Sequence, residues 1–241
     1  MTTLRDPARQ RLRENLEQVR EAISRAAARV GRDPSAVALL AVTKYAPSGA
    51  VAALYDLGVR DFGESTLQGA ERKRQELPGL EGACWHLIGH LQRNKAAKAL
   101  HTFATIHSVD STRLAVELAL QSQRRALPVP SFYIEVNVAG ETQKTGAQPA
   151  EVRDLLETIA KEPPLAARLA GLMGMAPHGR APEEARPSFR ALRELRDALV
   201  REGKLAKESG LSMGMSGDFE VAIEEGATVV RVGTLIFEGV E

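Results

Sequence analysis

LSMGMSGDFEVAIEEGATVVRVGTLIFEG, residues 211–239, decides how the chain is read. It opens on a short apolar run at 211–214, turns at Ser216 and Gly217, passes through a helical pattern at 219–225 and returns to an apolar run at 229–232. Two such runs joined by a helix make a parallel strand–helix–strand unit, because parallel neighbours need a long crossover that a hairpin does not. Towards the N-terminus the same alternation recurs. Further strands are predicted at 37–42, 61–63, 85–88, 105–109, 132–138 and 169–174, and further helices at 49–57, 67–77, 95–100, 112–122, 150–161 and 187–202. Eight strands separated by helices favour an α/β fold with a parallel sheet, whose natural closed form is a (β/α)8 TIM barrel. An open doubly wound sheet is the competing architecture, since a strand count does not establish closure.

Before the first strand, Leu12, Leu16, Val19, Ile23 and Val30 recur at helical spacing. Asp6 is expected to cap this helix, Pro7 suits its first position and Gly31 its stop. Residues 1–31 are therefore an extra N-terminal helix packing on the barrel, and 1–241 a single domain with no internal repeat or linker. Lys plus Arg number 32 against 31 for Asp plus Glu, so a net charge of +1 provides no general field for nucleic acid. Aromatics at 4% also argue against a base-stacking platform. No membrane span is read, and the lone Cys84 with no apolar leader points to a reducing, cytoplasmic setting.

The chemistry-bearing residues fall at predicted strand ends. Lys44, in LLAVTKYAPSG, closes an apolar run and would deliver its amine to the rim where barrels carry ligands; a lysine there also snorkels readily into water. Arg231 stands between Val230 and Val232, so its charge enters an apolar strand and needs a partner, either a carboxylate or a ligand. Gly233 and Thr234 follow it directly. Ser216 and Gly217 read as an ordinary cap and turn, or as a hydroxyl and a bare backbone offered to an anion beside the helix opening near Asp218. Together these segments suit a phosphate ester whose ring takes a cationic donor. With Lys44 forming an imine, they would complete a site for pyridoxal 5'-phosphate (PLP). Such an amine needs a partly desolvated or cationic setting, which Arg231 is expected to help supply. In WHLIGHLQRNK, His86 and His90 are four apart on a strand and turn rather than one helix, so they read as a core histidine and a residue bordering the site rather than as a metal pair. Met173, Met175, Met213 and Met215 read as packing at strand ends, with thioethers able to line a planar ring.

AVTKYAP, DFGESTLQ, WHLIGHLQRNK and the 211–239 stretch, in this order, resemble the YggS/PROSC family of pyridoxal phosphate homeostasis proteins over nearly the whole chain. The resemblance implies a barrel similar to the N-terminal domain of alanine racemase, with PLP held as a Schiff base on Lys44. It implies phosphate contacts from Ser216, Gly217, Gly233 and Thr234 and a pyridine-nitrogen contact from Arg231; Ser65, His90 and Met213 are expected beside the cofactor as well. A non-catalytic, monomeric carrier or buffer of PLP is expected, affecting amino acid and keto acid metabolism and serving PLP-dependent apo-enzymes. The alternative, a racemase-like isomerase, needs a second proton-transfer group that alanine racemase draws from another domain and subunit. A cofactor-sensing protein is a third possibility, motivated by the long connections VAGETQKTG and APHGRAPEEARPS. Two positions depart from the family pattern: Ser65–Thr66 stand where an asparagine and an aromatic are usual, and Glu238 separates Phe237 from Gly239.

Overall fold

In the computed structural model, which describes residues 5–140, 145–177 and 181–240, a long helix, α1 (Asp6–Arg29), precedes eight strands alternating with helices. These run β1 (Ala38–Val42), α2 (Ser48–Asp56), β2 (Asp61–Glu64), α3 (Leu67–Glu76), β3 (Cys84–Leu87), α4 (Ala96–Thr102), β4 (Thr105–Val109), α5 (Thr112–Arg125) and β5 (Ser131–Val136). They continue through α6 (Val152–Ala160), α7 (Pro163–Ala166), β6 (Leu169–Gly174), α8 (Arg186–Arg201), β7 (Gly210–Met215), α9 (Phe219–Glu224) and β8 (Val229–Val232). Every neighbouring pair is parallel, and β8 returns to β1 with Leu40 opposite Arg231 and Ala41 opposite Val232. The sheet is therefore closed, and the open alternative is excluded.

Both faces of each strand are covered, which explains the near-continuous apolar runs. Phe62, Ile106, Phe132, Leu172 and Val230 are all fully buried. At one seam, β6 and β7 approach so closely that a Cβ on Gly171 would lie 2.0 Å from the Gly210 carbonyl oxygen, and Gly171 adopts a φ of +147°. No other residue fits there.

Several expectations shift in detail. β5 ends at Val136 rather than 138, because the returning loop takes over its hydrogen bonds: Asn137 N–H donates to Ala147 and Ala147 N–H to Glu135. The short α7 was not anticipated; two prolines occupy its start, where a missing N–H costs nothing. Arg5, not Asp6, is the N-cap of α1 and makes no side-chain cap bond; Asp6 is the first helical residue, where its charge favours the helix dipole. Gly31 ends the helix as expected, at a φ of +65°. The tips of the two long connections, residues 141–144 and 178–180, lie outside the described residues. No helix among the described residues is long and apolar enough to cross a membrane.

The apolar stripe of α1 packs into the core through Leu12, Leu16, Val19 and Ile23. Its polar anchors are specific. Arg29 pairs with Glu220 and Glu224 on α9, and Arg32 caps the carbonyls of Ile223 and Ala227. Buried Asn15 donates to the carbonyls of Ile236 (3.1 Å) and Glu238 (2.8 Å), so α1 holds the C-terminal turn that follows β8. Replacing Asn15 with Ala should leave these carbonyls short of a donor and destabilise the protein by about 1–3 kcal/mol, as read by urea denaturation. An unchanged midpoint would show that the turn needs no such anchor.

Candidate functional site

The rim beyond the C-terminal ends of β7, β8 and β1 gathers the residues singled out from the sequence. Where β8 ends, a Cβ on Gly233 would stand 2.9 Å from the Val42 carbonyl oxygen and 3.1 Å from its Cβ, so only glycine lets the ends of β8 and β1 lie this close. Across the other seam, Ser216 Oγ accepts the Gly233 N–H at 3.2 Å. Gly233 is thus the junction between two strand ends, and its amide is already engaged. Because Ser216 accepts there, its own O–H remains available to donate. The amides of Gly217, Thr234 and Leu235 donate to no acceptor among the described residues. A Cβ on Gly217 would meet nothing within 4 Å, which leaves open space above its backbone. The short helix α9 spans only six residues, so these donors are turn amides rather than a long helix terminus. Thr234 is exposed on the same rim.

Lys44 leaves the barrel two residues after Val42, on this rim. It is exposed, with Nζ 5.0 Å from the ring centroid of Tyr45, which is itself 90% exposed. The partly desolvated setting expected from Arg231 is not what surrounds it, because Arg231 lies inside the barrel. What holds the Lys44 segment is a wholly buried cluster beneath it. Lys73, reaching in from α3, pairs with Glu64 at the end of β2 (Nζ–Oε1 2.6 Å) and donates to the Thr43 carbonyl. Thr43 Oγ1 donates to the same Glu64 oxygen at 2.6 Å.

Arg231 is buried in the lumen. Its Nη1 donates to the Ser212 carbonyl (2.7 Å) and hydroxyl (2.8 Å), and its Nη2 to the Gly174 carbonyl (3.2 Å). Among the described residues no carboxylate pairs with it directly, so the ion-pair explanation for its burial fails. Desolvation lowers its pKa to about 10, with Asp218 and Glu135 opposing through their charges; it stays a cation at neutral pH. Of its five N–H donors, Nε–H and one on Nη2 remain uncommitted to protein acceptors among the described residues. Nearby, burial raises the Glu135 carboxyl above its ordinary range while the Thr145 hydroxyl, donating at 2.7 Å, opposes this.

The remaining predicted residues scatter. Ser65 follows β2, and its carbonyl lies only 2.2 Å from where a Cβ on Gly89 would sit, which puts the ends of β2 and β3 in contact. Thr66, the second departure from the family pattern, caps α3 by accepting from Gly69 N–H at 3.1 Å. His90 is half-exposed, pairs with Asp110 at 3.3 Å and lines a separate rim cavity of about 470 Å³ with Arg93, Arg113 and Thr145. Met213 is adjacent to lumen-facing Ser212, so strand alternation turns it outward, and it is fully buried in the layer between sheet and helices. The structure therefore brings together Lys44, Ser216, Gly217, Gly233 and Thr234 on one rim with Arg231 below; it does not bring Met213 to them.

Lys73, Glu64, Ser212 and His107 escaped the sequence reading. Lys73 sits between Arg72 and Arg74, where nothing marks which charge turns inward. His107, in TIHSV, did carry a signal: like Arg231, it is a polar side chain in an otherwise apolar strand.

Residues 9–240 match the family described as Alanine racemase, N-terminal domain. A protein of Aquifex aeolicus named pyridoxal phosphate homeostasis protein is 42% identical over 224 residues, covering 93% of this chain and 96% of the relative. Its namesake in Pseudomonas aeruginosa is 43% identical, covering 93% and 94%. PipY of Synechococcus elongatus, solved with PLP bound, superposes with a TM-score of 0.77 at 35% identity, covering 94% of this chain and 99% of PipY. A whole-length match in sequence, joined to the closed barrel, means that the chain belongs to the pyridoxal phosphate homeostasis protein family, built on the alanine racemase N-terminal domain fold.

Proposed function

We propose that this chain holds PLP at the rim formed by β7, β8 and β1, and that it serves as a reversible, non-catalytic store and carrier of the cofactor. The observation that carries the reading is the Ser216–Gly233 junction, whose free hydroxyl hydrogen and uncommitted turn amides stand on the rim from which Lys44 projects. The donor set fits a phosphate dianion: Ser216 O–H, the amides of Gly217, Thr234 and Leu235, and the Thr234 hydroxyl. When bound, PLP supplies an aldehyde carbon to which an amine adds with loss of water, and Lys44 is the amine on this rim.

Arg231 donates towards the ring nitrogen through hydrogens that the protein leaves unused. A guanidinium does not surrender its proton, so it keeps that nitrogen unprotonated and the ring a weak electron sink. Holding is thereby favoured over turnover. The exposed amine suits release, since water and competing amines reach it directly. The full chain acts as one unit and as a monomer, passing cofactor to apo-enzymes in solution.

Borohydride reduction of protein incubated with PLP should fix one pyridoxyl phosphate to Lys44, read as an increase in intact mass and located by peptide mapping. Lys44→Ala should abolish the adduct while phosphate-dependent binding persists; an adduct retained on another lysine would refute the assignment. Ser216→Ala should weaken retention by about 1.5–3 kcal/mol, the range for a hydrogen bond to a charged group, as measured by equilibrium dialysis. Lys73→Met strands the Glu64 carboxylate without its cation and should destabilise the fold by about 3–5 kcal/mol in urea titrations, whereas replacing both partners with apolar residues should recover most of that loss.

A further inference from the structure

The lumen holds a line of polar side chains that the proposed function does not use. Asp61, at the start of β2, accepts from or faces His86 Nε2 at 3.0 Å; His86 Nδ1 lies 3.0 Å from His107 Nε2; and His107 Nδ1 lies 2.8 Å from Ser212 Oγ. Ser212 Oγ in turn accepts from Arg231. β4 and β7 are not neighbours in the barrel, so the His107–Ser212 contact crosses the lumen. The line runs from Asp61, whose side chain is 42% exposed at the end of the barrel opposite the rim, to the fully buried interior beneath the rim.

The hydrogens on this line can be assigned. A carboxylate only accepts, so His86 carries its proton on Nε2 and, when neutral, accepts at Nδ1. His107 must then donate from Nε2. Burial, with His86 and Arg231 nearby, holds the His107 pKa well below its ordinary value, so the ring is neutral and its Nδ1 is an acceptor. The Ser212 hydroxyl fills that acceptor and turns its lone pairs to Arg231. Every hydrogen therefore points the same way, from the cation towards the anion, and bonds aligned in this sense strengthen one another.

Other groups around the line leave this order intact. Tyr133 from β5 stacks on His107 at 4.8 Å, and burial raises its pKa, so it remains a neutral phenol. Burial of the Cys84 thiol, and then the charge of nearby Asp61, push its pKa up. At the other end Glu135 and Asp218 act on Arg231 by charge, and Gly174 supplies only a carbonyl.

We propose that Asp61, His86, His107 and Ser212 form a one-way hydrogen-bond relay that positions Arg231 and sets how strongly it donates at the rim. The effect on cofactor rests on the reading of Arg231 as the ring-facing donor. Asp61, at the opposite end of the barrel, would thus bias the rim without touching a ligand.

Nitrogen-15 NMR of the histidines in the full-length protein, without added PLP, tests the relay itself. Both His86 and His107 should show a single Nε2–H tautomer, and His107 should stay neutral between about pH 5 and 8. Asp61→Ala removes the acceptor that orders the line, and Ser212→Ala cuts it without changing any charge. In Asp61→Ala His107 should lose its single tautomer, whereas in Ser212→Ala, where Asp61 and His86 still order the ring from the other side, it should keep the Nε2–H form. In the PLP-loaded protein, Ser212→Ala should also shift the pH midpoint of the bound chromophore by about half a unit or more. An Nδ1–H tautomer at His107 in the unaltered protein, or an Nε2–H tautomer left pure in Asp61→Ala, would overturn the relay. Disturbed tautomers with an unmoved chromophore would overturn its influence on the rim. Failure to form any Lys44 adduct would instead defeat the proposed function, leaving the tautomer result to stand by itself. Far-ultraviolet circular dichroism checks that each variant is folded, and Asp61→Leu, which keeps bulk at this part-exposed position and offers no acceptor, replaces Asp61→Ala if that variant is not.

Discussion

The close approach of β8 to β1 is the constraint on which the rest of the molecule depends. It closes the sheet, and at its upper end it requires Gly233 because the Val42 carbonyl leaves no room for a side chain. The same contact aligns the segment after β8 with the segment after β1. Lys44, Thr234 and, through the Ser216–Gly233 bond, Ser216 share one rim as a consequence of closure. An open sheet of the same strands would place β1 and β8 apart. The site is thus a product of barrel topology, with each contributing loop unable to form it alone.

A second constraint is the polar interior. Apolar side chains fill most small barrels, but this lumen carries Arg231, Ser212, His107 and His86. Burying a guanidinium without a direct carboxylate partner among the described residues lowers its pKa, and the charges of Asp218 and Glu135 offset only part of the desolvation. Such an arrangement is hard to explain as a device for stability, since an apolar replacement of similar size commonly serves that purpose as well or better. The Lys73–Glu64–Thr43 cluster follows a different logic. There both charges are satisfied at short range, and what they hold is the backbone just before Lys44. One buried network anchors the amine's strand; the other organises the guanidinium beneath it.

The N-terminal helix joins these arrangements. It meets the barrel through an apolar stripe, as an extra packed helix should, but Asn15 gives it a further task by binding the turn that follows the Gly233 junction. Residues more than two hundred positions apart thereby support one rim.

Periodicity and punctuation in the chain were enough to establish eight strands, the N-terminal helix and every intervening helix but the short α7, because burial on both faces of a parallel strand leaves an apolar run that reads plainly. Lys44, Ser216, Gly233 and Arg231 were legible because each interrupts such a run or ends one. Lys73 was not: among the charged residues of α3, the inward-facing cation differs from its neighbours only in what it meets after folding. Met213 misled for the complementary reason, since a thioether beside the site in sequence points to the opposite face once strand alternation and the orientation of Ser212 are known. Sequence by itself determined which elements form, as local pattern and covalent order suffice for that. Only the tertiary structure decided closure, the lumen relay and the buried pair under Lys44, because each depends on distances between strands that are remote in sequence, and on which side of a strand or helix faces the axis.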